Sequence, residues 1–196
     1  MRPKANVPSA LGFGRLCLRD SSIHSPVTLR AAASGDALCL SVLAIQVFLD
    51  TYARQGIRPA LAREVLSTYS ESAFLAAITD PGTRIVVAEL MGHMVGFAQI
   101  TLGAVHELAP TGTQSELLRL YVQEPFTGQQ LGTRLLKASE QLAAENGASV
   151  LWLTLWVHNA RALNFYARRG YQDHGLTYFT FEGESHENRL YARRLG

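Results

Sequence analysis

The sequence predicts an α/β protein of one domain, with a mixed sheet flanked by helices. Three observations carry this. Residues 116 to 171 run without interruption as strand, glycine-bearing turn, helix, strand and helix, which needs a parallel strand pair joined by a right-handed crossover. Thr83 to Leu90 and Met94 to Leu102 are apolar segments separated by Met91-Gly92-His93, the pattern of an antiparallel hairpin. A chain of 196 residues, 47% of them hydrophobic, is large enough for one sizeable core.

Residues 1–26 carry Arg2, Lys4, Arg15 and Arg19 against Asp20, with prolines at 3, 8 and 26 and no sustained period. They read as a loosely held basic extension ahead of a domain spanning 27–196. Val27, Leu29 and Ala31 alternate as a strand. Ser34-Gly35-Asp36 then opens an amphipathic helix to about Arg54, and Gly56 closes it. Pro59 starts a second helical stretch through Leu61, Val65 and Leu66, which dissolves near Ser70 and resumes from Phe74 to Ile78. The hairpin follows, with His93 on its turn, and residues 103–114, with Pro110 and Gly112, form a loop.

Ser115 to Val122 reads as a strand with Glu116, Leu118, Leu120 and Val122 on one face and Leu117, Arg119 and Tyr121 on the other. Two charges on a mostly buried strand must be solvated or paired. A strand lining a site shows this pattern, and so does one whose glutamate lies at its frayed start and whose arginine snorkels. The segment Thr127-Gly128-Gln129-Gln130-Leu131-Gly132-Thr133 leads into a helix with Leu131, Leu135, Leu136 and Leu142 on its apolar face. Free backbone amides and the positive end of the helix dipole converge at such a start, which suits a pyrophosphate. The spacing is neither that of a P-loop nor that of a dinucleotide fingerprint.

Val150 to Val157 is nearly continuously apolar, as for a central strand covered on both faces. Asn159 then caps a helix that Gly170 ends. Asn159, Ala162 and Tyr166 fall on one face of it, Asn159 and Tyr166 about 10 Å apart along the axis. Capping accounts for Asn159 equally well, and a core edge for Tyr166.

Net charge is +2, with no basic run of the kind that tracks a nucleic-acid backbone, so no nucleic-acid partner is expected. No metal site is expected, because Cys17 and Cys39 lack metal-ligand spacing. No apolar run approaches the roughly 20 residues that cross a bilayer, and Pro8, Gly12, Gly14 and Arg15 interrupt any leader. The expectation is a cytoplasmic protein with no membrane partner.

The chain resembles the GNAT family of acyl-CoA N-acyltransferases over roughly residues 27 to 195. Its Arg/Gln-x-x-Gly-x-Gly/Ala turn is matched by residues 127–132, with Thr127 in place of the first Arg/Gln and Gln130 in place of the central Gly. Its Asn-x-x-Ala-x-x-Phe-Tyr helix is matched by Asn159, Ala162, Phe165 and Tyr166. The resemblance implies a sheet splayed between two parallel strands, with acetyl-CoA as acyl donor and no metal. Pantetheine would pair with Leu120, Tyr121 and Val122, the pyrophosphate would lie on Thr127, Gly128, Gln129, Gln130, Leu131, Gly132 and Thr133, and the helix 159–166 would face the cofactor.

It further implies Tyr166 as the acid that protonates the departing thiolate and Glu116 as first candidate for the base, with a small-molecule primary amine as acceptor. The closing segments, including Gly175 to Phe179 and Glu187 to Tyr191, look like the PaiA-like polyamine-acetylating branch, although Asn188 stands where that branch usually has an aspartate. Family members often form homodimers. The rival readings are a noncatalytic acyl-CoA sensor, an acetyltransferase acting on a protein N-terminus or lysine, and an interaction module using residues 1–26.

Overall fold

The computed structural model describes residues 27–181 and 184–196. The basic extension and Cys17 lie outside the described residues. In chain order the strands are β1 (Thr28–Ala31), β2 (Thr83–Leu90), β3 (His93–Leu102), β4 (Gln114–Val122), β5 (Val150–Trp156), β6 (Gln172–Phe181) and β7 (Glu184–Arg194). The helices are α1 (Ala37–Tyr52), α2 (Pro59–Thr68), α3 (Glu71–Thr79), α4 (Leu131–Glu145) and α5 (Ala160–Ala167). The sheet order is β1-β2-β3-β4-β5-β7-β6. Only the β4 and β5 pair is parallel.

The predicted crossover is present, and it has a decisive limit. β4 and β5 pair only at Gln114, Ser115 and Glu116 with Val150, Leu151 and Trp152. Beyond Glu116 no strand among the described residues pairs with the β5-facing edge of β4, so the sheet splays there.

Two layers cover the sheet. On one face Leu131, Leu135 and Leu136 of α4 pack with Ala98, Ile100, Leu117, Leu151 and Leu153. Their spacing places them on one helical stripe. On the other face Leu40, Leu43 and Ala44 of α1 pack with Phe74 of α3, Val65 of α2 and Phe97 of β3. Residues 103–113 fold over the same face farther along, where Ala109 and Leu108 cover Trp152, whose Nε1 donates to Ala104 O at 2.9 Å.

Three expectations change. The register between β3 and β4 shifts at Gln99/Ile100, so that Leu117 pairs with Ile100, Arg119 pairs with Gln99, and Leu118 is the extra residue of a β-bulge. The bulge breaks the simple alternation. Leu117 shares the α4 face with Leu120 and Val122, while Leu118 is 42% exposed. Secondly, β5 is covered on both faces from Val150 to Leu153, as expected, but Thr154 beyond them is exposed. Thirdly, the stretch Ser34–Tyr52 is 19 residues long at a mean hydropathy of 1.3, sufficient by length and composition to cross a membrane. Asp36 and Asp50 are its only charges, and its inner stripe is core.

Candidate active site

The helix start below the splay is built from an unusual turn. Gly128 has φ +76° and Gln130 has φ +62°, both in the left-handed region that costs a side-chain-bearing residue. The amides of residues 128 to 133 lie in and just after these two reversals. None of these amides has an acceptor among the described residues. Gly132 lets α4 begin close to its neighbours, since a Cβ there would lie 3.3 Å from the Phe165 ring and 3.8 Å from Leu120 Cδ2.

A cavity of about 440 Å³ opens above this turn. Leu120, Val122, Thr127, Gly128, Gln130, Leu131, Gly132, Thr133, Asn159, Ala162 and Phe165, all expected from sequence, line it. Gln129 does not, its Nε2 donating instead to Pro125 O at 3.2 Å. Tyr121 points through the sheet to the opposite face, where it meets Tyr69 and Phe97.

On α5 the Asn159 side chain accepts from the amide of Ala162 at 3.1 Å, as a helix cap should. The stripe Asn159, Ala162, Phe165 and Arg169 faces the cavity, whereas Tyr166 lies one position round the helix with its ring in the core against Phe165 and Tyr171. The expected common face of Asn159, Ala162 and Tyr166 is corrected accordingly. The Tyr166 hydroxyl has no hydrogen-bond partner among the described residues. The residue is buried and does not line the cavity. Burial holds its phenol well above the ordinary value, and the Arg169 charge opposes that shift.

Glu116 stands at the base of the splay, paired with Trp152 on one side and Thr101 on the other. It is half-buried. Burial raises its carboxyl above the ordinary range, against the pull of the Arg119 charge. Arg119 donates to Gln99 Oε1 and lies over the rings of Tyr69 and Phe74 at 5.1 and 5.7 Å. Glu116 does not line the cavity and sits on the opposite sheet face from Leu117.

Several lining residues were not singled out from sequence. Val47, Asp50, Thr51 and Arg54 come from α1 and the residues just after it, at the spacing of one helical face. That spacing was the available signal, but the same stripe reads as core. Arg161 bridges to Glu124 at 2.8 Å, and Arg169 stacks 3.6 Å from the Phe165 ring centroid while donating to Thr133 Oγ1.

A sheet opened between two parallel strands, with an amide-lined helix start beneath the opening, defines an α/β protein able to pass the extended arm of an anionic ligand into its sheet. The acetyltransferase (GNAT) family model matches residues 49–171. An uncharacterised N-acetyltransferase from Lactobacillus delbrueckii subsp. lactis is 30% identical over 127 residues, 64% of this chain and 72% of that protein. The thialysine N-epsilon-acetyltransferase of Bos taurus is 27% identical over 170 residues, 81% of this chain and 94% of that one. Among solved structures, the PaiA N-acetyltransferase of Thermoplasma acidophilum in complex with coenzyme A superposes with a TM-score of 0.67 at 18% identity, covering 86% of this chain and 99% of that one. This chain belongs to the GNAT acetyltransferase family and is an acetyl-CoA-dependent N-acyltransferase.

Proposed function

We propose that the protein acetylates a primary amine of a small molecule in the cytoplasm, using the splay between β4 and β5 as its reaction centre. The observation that carries this reading is the three-residue pairing of β4 with β5, with the cavity opening where the pairing ends.

The residues present fit the donor. The unpartnered amides of 128–133 suit a diphosphate, and the unpaired edge of β4 over Leu120 to Val122 suits an amide-bearing arm. Asn159, Ala162 and Phe165 form the opposite wall. Acetyl-CoA, when bound, supplies an activated acetyl thioester. Tyr166 holds a proton on its hydroxyl throughout neutral pH because burial disfavours its phenolate, and it delivers that proton to the departing sulfur. The neighbouring Arg169 charge favours the phenolate left behind. Glu116 takes the proton that the arriving ammonium must lose, directly or through water. An alkylammonium has a pKa of about 10.4, so this loss is needed at neutral pH.

The test is acetyl-CoA-dependent thiol release over a panel of small amines, polyamines, amino acids and N-terminal peptides. Tyr166→Phe is expected to lower kcat about 100-fold with KM for the donor little changed. An unchanged kcat would reject Tyr166 as the acid, and release with peptides alone would move the acceptor to a protein terminus.

A further inference from the structure

On the sheet face opposite α4, five carbon rings form a continuous wall across the splay. Tyr121 of β4 meets Tyr69, the residue after α2, at 6.4 Å between centroids, and Tyr69 meets Phe48 of α1 at 5.3 Å. Phe48 meets Tyr52 at 4.6 Å, and Tyr52 reaches Trp156 at the end of β5 at 5.6 Å. The wall thus spans from β4 to β5 four to five residues beyond Glu116 and Trp152, the last pair of the two strands. Tyr52 is 40% exposed, and Phe48, Tyr121 and Trp156 are half-buried, so ring surface remains for a ligand.

The face beside the wall is open. Thr154 is exposed although it lies in mid-strand on β5, between Trp152 under residues 104–109 and Trp156 under Tyr52. Glu116 lies on the same sheet face as Trp152, with which it pairs, in the last β4 residue joined to β5.

The charges there limit what it can accept. Glu116 is the half-buried carboxylate on this face. Asp50 belongs to the exposed side of α1 that lines the cofactor cavity, and Glu107 is exposed on the covering loop. The cation seat on the Tyr69 ring is already taken by Arg119. A ligand with several ammonium groups would find one carboxylate and a resident guanidinium, whereas one ammonium attached to a flat ring would find a carboxylate and a wall of rings.

We infer that the acceptor is an arylalkylamine, seated with its ring against the Tyr121 to Trp156 wall and its amino group toward Glu116. This rests on the acetyl-transfer reading above. Ring contact in such a wall is expected to favour phenethylamine over butylamine by about tenfold in kcat/KM, and over spermidine by at least as much.

The experiment compares phenethylamine, butylamine and spermidine in two readouts, thiol release and tryptophan fluorescence of the protein saturated with CoA. Trp156 reports from the wall, whereas Trp152 lies under the loop. Phenethylamine is expected to be the preferred acceptor and to change the fluorescence, and Trp156→Phe is expected to abolish that change. Tyr52→Leu, at an exposed helix end, is expected to raise the KM and Kd for phenethylamine about fivefold more than those for butylamine. Turnover of spermidine or butylamine equal to or faster than that of phenethylamine overturns the arylalkylamine assignment and leaves the acetyltransferase standing. No thiol release with any amine or peptide, with CoA binding intact, overturns both.

Discussion

Gln130 occupies the left-handed region at φ +62° and ψ +4° as the residue before α4, with no side-chain cap bond to offset the strain. A side-chain-bearing residue there costs about 1–2 kcal/mol relative to right-handed geometry. Gln130→Gly removes that cost, but it also frees the unfolded chain, which returns about 0.4–1 kcal/mol. The balance is a stabilisation of about 0–1.6 kcal/mol, centred near 0.8. For a domain of this size, the central value is a rise in Tm of about 1–4 °C. Gln130→Val, forcing a β-branched residue into the same region, should lower Tm by a larger amount. Thermal unfolding followed by circular dichroism at matched pH, without cofactor, separates the three proteins. A Tm for Gln130→Gly below wild type would refute the strained turn.

Glu116→Gln should abolish the acid limb of the pH profile of kcat/KM. In the wild type this limb lies above the ordinary carboxylate range, because burial raises the group, and activity falls as pH drops through that raised value. The same raised pKa means that ionising Glu116 opposes folding as pH rises, so the variant should be at least as stable as wild type at pH 7. A pH profile identical to wild type would reject the base. Gly96→Ala would place a Cβ 2.7 Å from Tyr121 O, a backbone atom that cannot move without disturbing the bulged strand. We expect a loss of about 2 kcal/mol and a Tm lower by about 4–8 °C, read by calorimetry. Asp36 accepts from the Ala33 amide and from Arg30, both at 2.7 Å, and the Arg30 guanidinium leads in holding its carboxyl below the ordinary value. Its stabilisation is therefore full above the unfolded value of about 3.9 and lost as pH falls through the lower folded value. Asp36→Asn should lower Tm at pH 7 by about 2–4 °C, with the gap closing toward pH 3; a gap independent of pH would show that the charge is not what matters.

Most of the element order was legible because each element has a local cause. The α4 stripe, the Met91-Gly92 turn with both residues at positive φ, the Asn159 cap and Gly170 at φ +81° are decided within a few residues of chain. The bulge at Leu118 was not legible, because it arises from the register between two strands whose pairing residues lie about twenty positions apart. Its consequence is large for the site. Without it Glu116, Leu118 and Leu120 would share a face; with it Glu116 and Leu120 are turned to opposite sides of the sheet, Leu120 to the side of α4.

α1 is the other part the sequence concealed, and the reason is that one helix performs three tasks on three stripes. Leu40, Leu43 and Ala44 are core, Val47, Asp50 and Thr51 line the cofactor cavity, and Phe48 and Tyr52 continue the aromatic wall. An apolar period in sequence adds such stripes together and reads them as one buried face. What separates them is the splay itself: where β4 and β5 part, the helix crossing above meets an opening in place of a continuous sheet, and residues that elsewhere would be core become the lining of two adjoining sites. The position of Glu116, in the last paired residue of β4 before that opening, is then a consequence of topology. A carboxylate there is buried enough to have its proton affinity raised, and it adjoins the break between β4 and β5 through which, on the proposed reading, an amine on one face would meet a thioester on the other.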